Sequence, residues 1–224
     1  MSLLPSYDAY LFDIDGTLIT SQDAVHYFAF CEALTAVAGR PLNLDGVVAH
    51  GNVDIGILRD AWTLAGIPEA RWRTKLPVTR AAMCAFVEAN KADLHMTVLP
   101  GVRELLTRLR TEGAILAVAT GNLRGIGEIK LCESGLLDFF DFGGYSDAYE
   151  YRRDVFAAAL AEARRRLPMP SPRICVVGDT PEDIRAAQVN GLDVIGVATG
   201  IYSFEQLEAE NPTRCVHSLS ELLA

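Results

Sequence analysis

The sequence predicts an α/β protein: a doubly wound parallel sheet carrying a helical segment inserted after its first strand. Three observations lead there. Short apolar runs at 7–13, 114–120, 173–178 and 193–198 alternate with helical patterns, the arrangement that gives parallel strands joined by crossover helices. The runs are apolar almost throughout, as strands covered on both faces are. Between residues 20 and 94 strand signals give way to helical periodicity.

Taken in order, Tyr7 to Asp13 reads as the first strand. Ala24 to Ala38 is expected as a helix stopped by Gly39-Arg40-Pro41, Val53 to Ala65 as a second stopped at Gly66-Ile67-Pro68, and Val78 to Ala92 as a third. From Pro100 the alternation resumes. Helices are expected at 102–111, 126–134, 154–167 and 181–190, strands at 114–120, 139–144, 173–178, 193–198 and 214–216, and a terminal helical turn at 220–224. Residues 1–19 and 96–224 therefore form one α/β core, with 20–95 as a separate helical unit.

Composition narrows the function. Half of the 224 residues are hydrophobic, 22% are charged and the net charge is −9. The one basic run, Arg164-Arg165-Arg166, reads as a solvated helix end, so nucleic acid and anionic membrane are not expected partners. Five scattered cysteines lack the spacing of a zinc site and read as reduced thiols. The N-terminus, with Pro5, Tyr7 and Asp8, does not resemble a signal peptide, and no apolar run is long enough to span a bilayer. A cytoplasmic protein, monomeric or homodimeric, is the expectation.

Chemistry concentrates where the apolar runs end. The first ends in Asp13-Ile14-Asp15-Gly16-Thr17, the second in Thr120-Gly121-Asn122, and another in Gly178-Asp179-Thr180-Pro181-Glu182-Asp183. In open parallel sheets ligands collect at these carboxyl ends. Buried carboxylates need compensation, and a hard divalent cation that can bridge to a phosphate is the simplest source. Gly16 permits a sharp turn, and Thr17 can donate to a phosphate or close the turn. Thr120-Gly121-Asn122 precedes a helix, so its N–H groups offer an anion cradle. A calcium loop is excluded, because its twelfth position would fall on Ala24.

These motifs, in this order, resemble the haloacid dehalogenase superfamily over the whole chain, and the helical insert is similar to the cap of its phosphoglycolate-phosphatase-like members. The resemblance implies a Rossmann-like core with a helical cap. It also implies a Mg2+-dependent phosphatase that acts on a small phosphorylated metabolite through an aspartyl phosphate. Asp13 would be the nucleophile. Asp15 would be general acid and then base, its backbone carbonyl also a magnesium ligand. Thr120 would hydrogen-bond the phosphate, and Asp179 would complete the metal site with Asp183 as ligand or support. The retained Asp15 disfavours a true dehalogenase. A phosphomutase and a non-catalytic phosphate-binding or regulatory member remain the alternatives.

One motif departs from the family. A lysine is expected before the helix after the third strand, but the position falls near Glu150 in Tyr149-Glu150-Tyr151-Arg152-Arg153-Asp154. Arg152 is the first expected replacement and Arg153 the next. Lys130 is the rival, roughly 12 Å along its helix at about 1.5 Å per residue, and reads as a solvated helix charge. In the insert, Ala49-His50-Gly51-Asn52-Val53-Asp54 is similar to a loop that faces phosphate in relatives, which makes His50 and Asn52 candidate substrate contacts; otherwise Asn52 caps the helix and His50 lies on the surface. Trp62, Trp72 and Phe86 are expected in the core of the insert, and hinges near Thr20 and His95 to Val98.

Overall fold

The computed structural model describes residues 6–223. Pro5, and Ala224 at the end of the expected terminal turn, lie outside the described residues. The chain runs β1 (Ala9–Phe12), β2 (Ile19–Ser21), α1 (Val25–Ala38), α2 (Asp54–Leu64), α3 (Glu69–Ala89), β3 (Met96–Val98), α4 (Val102–Thr111), β4 (Ile115–Ala119) and α5 (Arg124–Glu133). It continues through β5 (Phe142–Gly144), α6 (Arg152–Arg166), β6 (Ile174–Gly178), α7 (Pro181–Val189), β7 (Asp193–Val197), α8 (Phe204–Glu208) and β8 (Arg214–Val216).

Six strands form a parallel sheet in the order β5-β4-β1-β6-β7-β8. Successive residues of β1 point to opposite faces, and both faces are covered. Tyr10 and Phe12 pack against the stripe Val102, Leu105, Leu106 and Leu109 of α4, spaced as one helical face requires. Ala9 and Leu11 pack against Val155, Phe156 and Ala159 of α6 and Ile184 of α7. Because the chain leaves β1 first toward β4 and later returns to β6, the loops after β1, β4 and β6 converge at one edge.

The helical insert has its own apolar cluster. Trp62 stacks on Trp72 at 5.6 Å, with Phe30, Leu34, Leu58, Met83 and Val87 around them and Phe86 packed against the cluster. Leu123 and Ile126 join the same cluster, so the insert packs on α5. Among the described residues no helix is long and apolar enough to cross a membrane.

Several boundaries differ from expectation. The third helix of the insert starts at Glu69 rather than near Val78, because Pro77 lies inside it. Pro77 is exposed, so water can satisfy the carbonyl one turn earlier that its missing N–H would have bonded. The expected hinges are an antiparallel pair, Ile19↔Val98 through Ser21↔Met96. Strands of three residues are too short to show a period, which also hid β2 and β3. The strand expected at 139–144 begins at Phe142, after a 3-10 turn over Leu137–Phe139, and α8 had no sequence signal. Arg165 and Arg166 are bound to Glu162 on the exposed end of α6, as a solvated basic run would be.

Candidate active site

The end of β1 turns sharply through Gly16. Its φ is +82°, and a Cβ there would come 2.2 Å from Asp179 Oδ2, so only glycine fits. The turn places Asp13 and Asp15 in different surroundings.

Asp13 is buried with Asp179 and Asp183, and one carboxylate oxygen from each lies within 4.8 Å of the others. Arg152 is the counter-charge, 2.8 Å from Asp13 Oδ2 and 2.7 Å from Asp183 Oδ1. One guanidinium faces three carboxylates, so the group lacks positive charge. Burial, countered by Arg152, pushes the Asp13 carboxyl up to about 6. Burial and the nearby Asp13 and Asp183 push Asp179 well above the usual carboxylate range. A cation would relieve both, so these residues fit a hard divalent ion. Asp183 is already engaged: Oδ1 accepts from Arg152 Nε, and Oδ2 from Thr180 N–H and Oγ1–H in the capping box that starts α7. Asp179 Oδ1 accepts from Thr17 Oγ1 at 2.9 Å, so Thr17 orients a carboxylate.

The Asp15 side chain lies outside that group. Both its oxygens are 2.8 Å from Lys130 Nζ, and Oδ2 also accepts from Asn122 Nδ2 at 2.8 Å. Lys130 is thus not the solvated helix charge expected from its sequence position. It is buried, and also donates to Asn122 Oδ1 at 3.0 Å and His26 Nδ1 at 3.2 Å. Helical side chains tilt toward the helix N-terminus, and the long lysine stem follows that tilt back to the strand end. Burial works against ionisation of Asp15, but the Lys130 ammonium and the donors from Lys130 and Asn122 outweigh it, holding the carboxyl below its usual range. Forty-two per cent of this side chain remains exposed to the cleft.

The Thr120-Gly121-Asn122 corner is less open than a phosphate cradle should be. Asn122 N–H bonds Thr120 Oγ1, Leu123 N–H bonds Asp54 Oδ2 at 2.7 Å, and Arg124 N–H bonds Asp147 Oδ2 at 2.8 Å. The anion at this helix start is the protein's own Asp54, delivered by α2, whose N–H in turn donates to Gly121 O at 2.7 Å. Gly121 admits this approach, because a Cβ would lie 2.4 Å from Asn52 O.

Asn52 lines the cleft but does not cap α2. Its Nδ2 donates to Asp60 Oδ2 and Val48 O and its Oδ1 accepts from Val53 N–H, while the N-cap of α2 is Val53 with no side-chain cap. His50 is exposed at the mouth of the cleft. Arg153 is also exposed, beside Asp154 and stacked over Tyr151, so it does not supply the missing charge. Glu150, at the position expected to be basic, instead ties down the insert through Arg73 at 2.7 Å and Arg59 at 3.5 Å. Sequence reading missed His26 and Asp54. Only their positions at helix starts could have flagged them.

A parallel α/β sheet with carboxylates at the ends of β1 and β6, facing a helical insert across a cavity of about 320 Å³, defines a hydrolase-like site. The family model described as haloacid dehalogenase-like hydrolase matches residues 7–191, and the chain belongs to that family. It is 30% identical to the phosphoglycolate phosphatase of Rhodobacter capsulatus, over 96% of this chain and 94% of that one. It is 28% identical to the protein named "Probable phosphatase IndB" of Dickeya dadantii strain 3937, over 95% and 90%. Its fold is similar to that of a hydrolase from Pseudomonas syringae (TM-score 0.69, 21% identity, 96% of each chain).

Proposed function

We propose that the protein is a Mg2+-dependent phosphatase that hydrolyses a small phosphomonoester through an aspartyl phosphate on Asp13. The observation that carries this is the opposed placement of the two loop carboxylates. Asp13 sits in the buried acidic trio beside Arg152, whereas Asp15 is turned to Lys130 and Asn122 at the cleft. Two carboxylates in such different fields can divide nucleophilic and proton-transfer roles. Asp13 and Asp179 would hold the ion with the Asp15 backbone carbonyl, and Asp183 and Thr17 would fix them in place. When bound, magnesium supplies the charge neutralisation that lets a carboxylate approach a phosphodianion.

In the first step Asp13 forms a bond to phosphorus as the bond to the ester oxygen breaks, and Asp15, protonated once the phosphate dianion lies beside it, gives that oxygen a proton. In the second, water attacks phosphorus, Asp15 takes its proton, and the bond to Asp13 breaks to release inorganic phosphate. Arg152 balances the trio and Lys130 with Asn122 holds Asp15. Thr120, buried beside them, Gly121 and Gly16 shape the phosphate pocket. Residues 20–95 act as a cap on the core of 1–19 and 96–224, closing the cleft against water. Five free thiols fit a reducing, cytoplasmic setting.

Phosphate release from p-nitrophenyl phosphate, with magnesium and with chelator, tests the reading. Release that needs magnesium supports it. No release by folded, magnesium-loaded protein from this ester or from a panel of small phosphomonoesters would refute it.

A further inference from the structure

The cleft itself discriminates among phosphomonoesters. A chain of contacts leads outward from Asp15: to Lys130 Nζ at 2.8 Å, from there to His26 Nδ1 at 3.2 Å, and from the His26 ring to Phe30, stacked at 4.9 Å between centroids. The same cavity is also lined by Tyr27, Leu44, Ile57 and Leu94. The cavity that Asp15 faces therefore has an aromatic and aliphatic part.

Its cations are already committed. Lys130 is shared among Asp15, Asn122 and His26, and Arg152 lies between Asp13 and Asp183. These are the lysine and arginine among the described residues lining the cavity, and His50 lies exposed at its mouth. His26 is committed as well, its Nδ1 3.2 Å from Lys130 Nζ and its Nε2 facing Asp54 at 3.3 Å. Two more carboxylates line the cap side, and neither is paired with lysine or arginine. Asp23 accepts from Ser21 Oγ and the N–H groups of Val25 and His95, and Asp54 from Leu123 N–H. A substrate carboxylate placed here would lose water without gaining a counter-ion, and would face two like charges.

We propose that the substrates are phosphomonoesters whose leaving group is compact, apolar and free of negative charge, and that the cleft rejects carboxylate-bearing esters of the phosphoglycolate kind. This rests on the phosphatase reading of the same site. It departs from the substrate that the name of the Rhodobacter capsulatus relative suggests. The rejection is built from repulsion and missing partners rather than from size, because specificity can come from what a site denies as much as from what it offers.

The test uses ligands that are not turned over. Calorimetric titration of magnesium-loaded protein with butylphosphonate and with 3-phosphonopropionate, an isostere of phosphoglycolate, compares a neutral tail with a carboxylate tail. Butylphosphonate is expected to bind at least ten-fold more tightly. Tyr27→Lys, at a half-exposed position on the cavity wall, is expected to narrow that ratio by supplying the missing cation. Equal or tighter binding of 3-phosphonopropionate by the wild type would overturn the proposal. Phosphate release from butyl phosphate and the phosphomonoester panel separates the two readings: a preserved binding preference with no release from any ester would leave the cleft's preference for a neutral tail standing and sink hydrolysis. Absence of binding by both phosphonates and by inorganic phosphate would overturn both.

Discussion

Replacing Lys130 by Met removes the ammonium while keeping most of the apolar stem. In the wild type that ammonium contacts both Asp15 oxygens at 2.8 Å and also meets Asn122 and His26. Deleting one partner of a fully buried ion pair costs roughly 3–5 kcal/mol, and an exposed pair contributes about 0–1 kcal/mol. Lys130 is buried, but 42% of the Asp15 side chain is open to water, which recovers part of the lost charge interaction. A loss of about 2 kcal/mol follows between those limits, and about 4–8 °C in Tm for a chain of this size. The sign of the pH dependence is fixed. Asp15 is held below its ordinary pKa, so its contribution is present above the usual carboxylate pKa and is lost as pH falls through the depressed value. Urea unfolding of wild type and Lys130→Met should therefore differ most near neutrality and converge in acid. The limb of the pH–rate profile that Asp15 sets should move to higher pH in the variant, as Asp15 loses the group that keeps it ionised. Identical urea midpoints and rate profiles would show that Lys130 is only a helix charge.

Arg152→Ala should cost about 3–5 kcal/mol, because it leaves three buried carboxylates uncompensated, with Arg152→Lys recovering part of the loss by charge but not by two-sided contact; thermal melts with and without magnesium check this. In metal-free protein Asp13 titrates near 6, above its ordinary 3.8, so the folded state binds the extra proton between those values and this group's contribution falls as pH rises from about 4 to 6. The gain in Tm from magnesium should accordingly be small at pH 5 and level off above pH 6.5, and the Tm advantage of metal-free Asp13→Asn over wild type should grow through the same window. Gly16→Ala places a Cβ against Asp179 at a left-handed position. It should weaken magnesium binding, measured by titration, by about ten-fold or more, given roughly 1–2 kcal/mol of backbone strain before the clash is counted.

The alternation of apolar runs and helical stripes announced the parallel sheet, because β1, β4, β6 and β7 are buried on both faces. Their polar ends marked Asp13, Asp179 and Asp183, whose proximity needs only the parallel order of β1 and β6. Arg152 was legible as the nearest permanent cation to the departed motif. Lys130 was not, because counting rise along a helix axis ignores the backward tilt of its side chains. The roles of Asp54 and His26 depend on how the insert docks against α5, which periodicity does not encode. Nor could spacing reveal that the N–H groups of Leu123 and Arg124 are occupied by Asp54 and Asp147.

Acid-quenching the magnesium-loaded protein during turnover of a phosphomonoester, then mapping the added phosphoryl mass by peptide mass spectrometry, tests the mechanism most directly. The expected result is a phosphoryl group on the peptide containing Asp13, labile at alkaline pH and absent from Asp13→Asn, whose turnover falls by about 10³-fold or more. Turnover at wild-type rates by Asp13→Asn, or a phosphoryl group on another residue, would contradict the assignment of Asp13 as nucleophile.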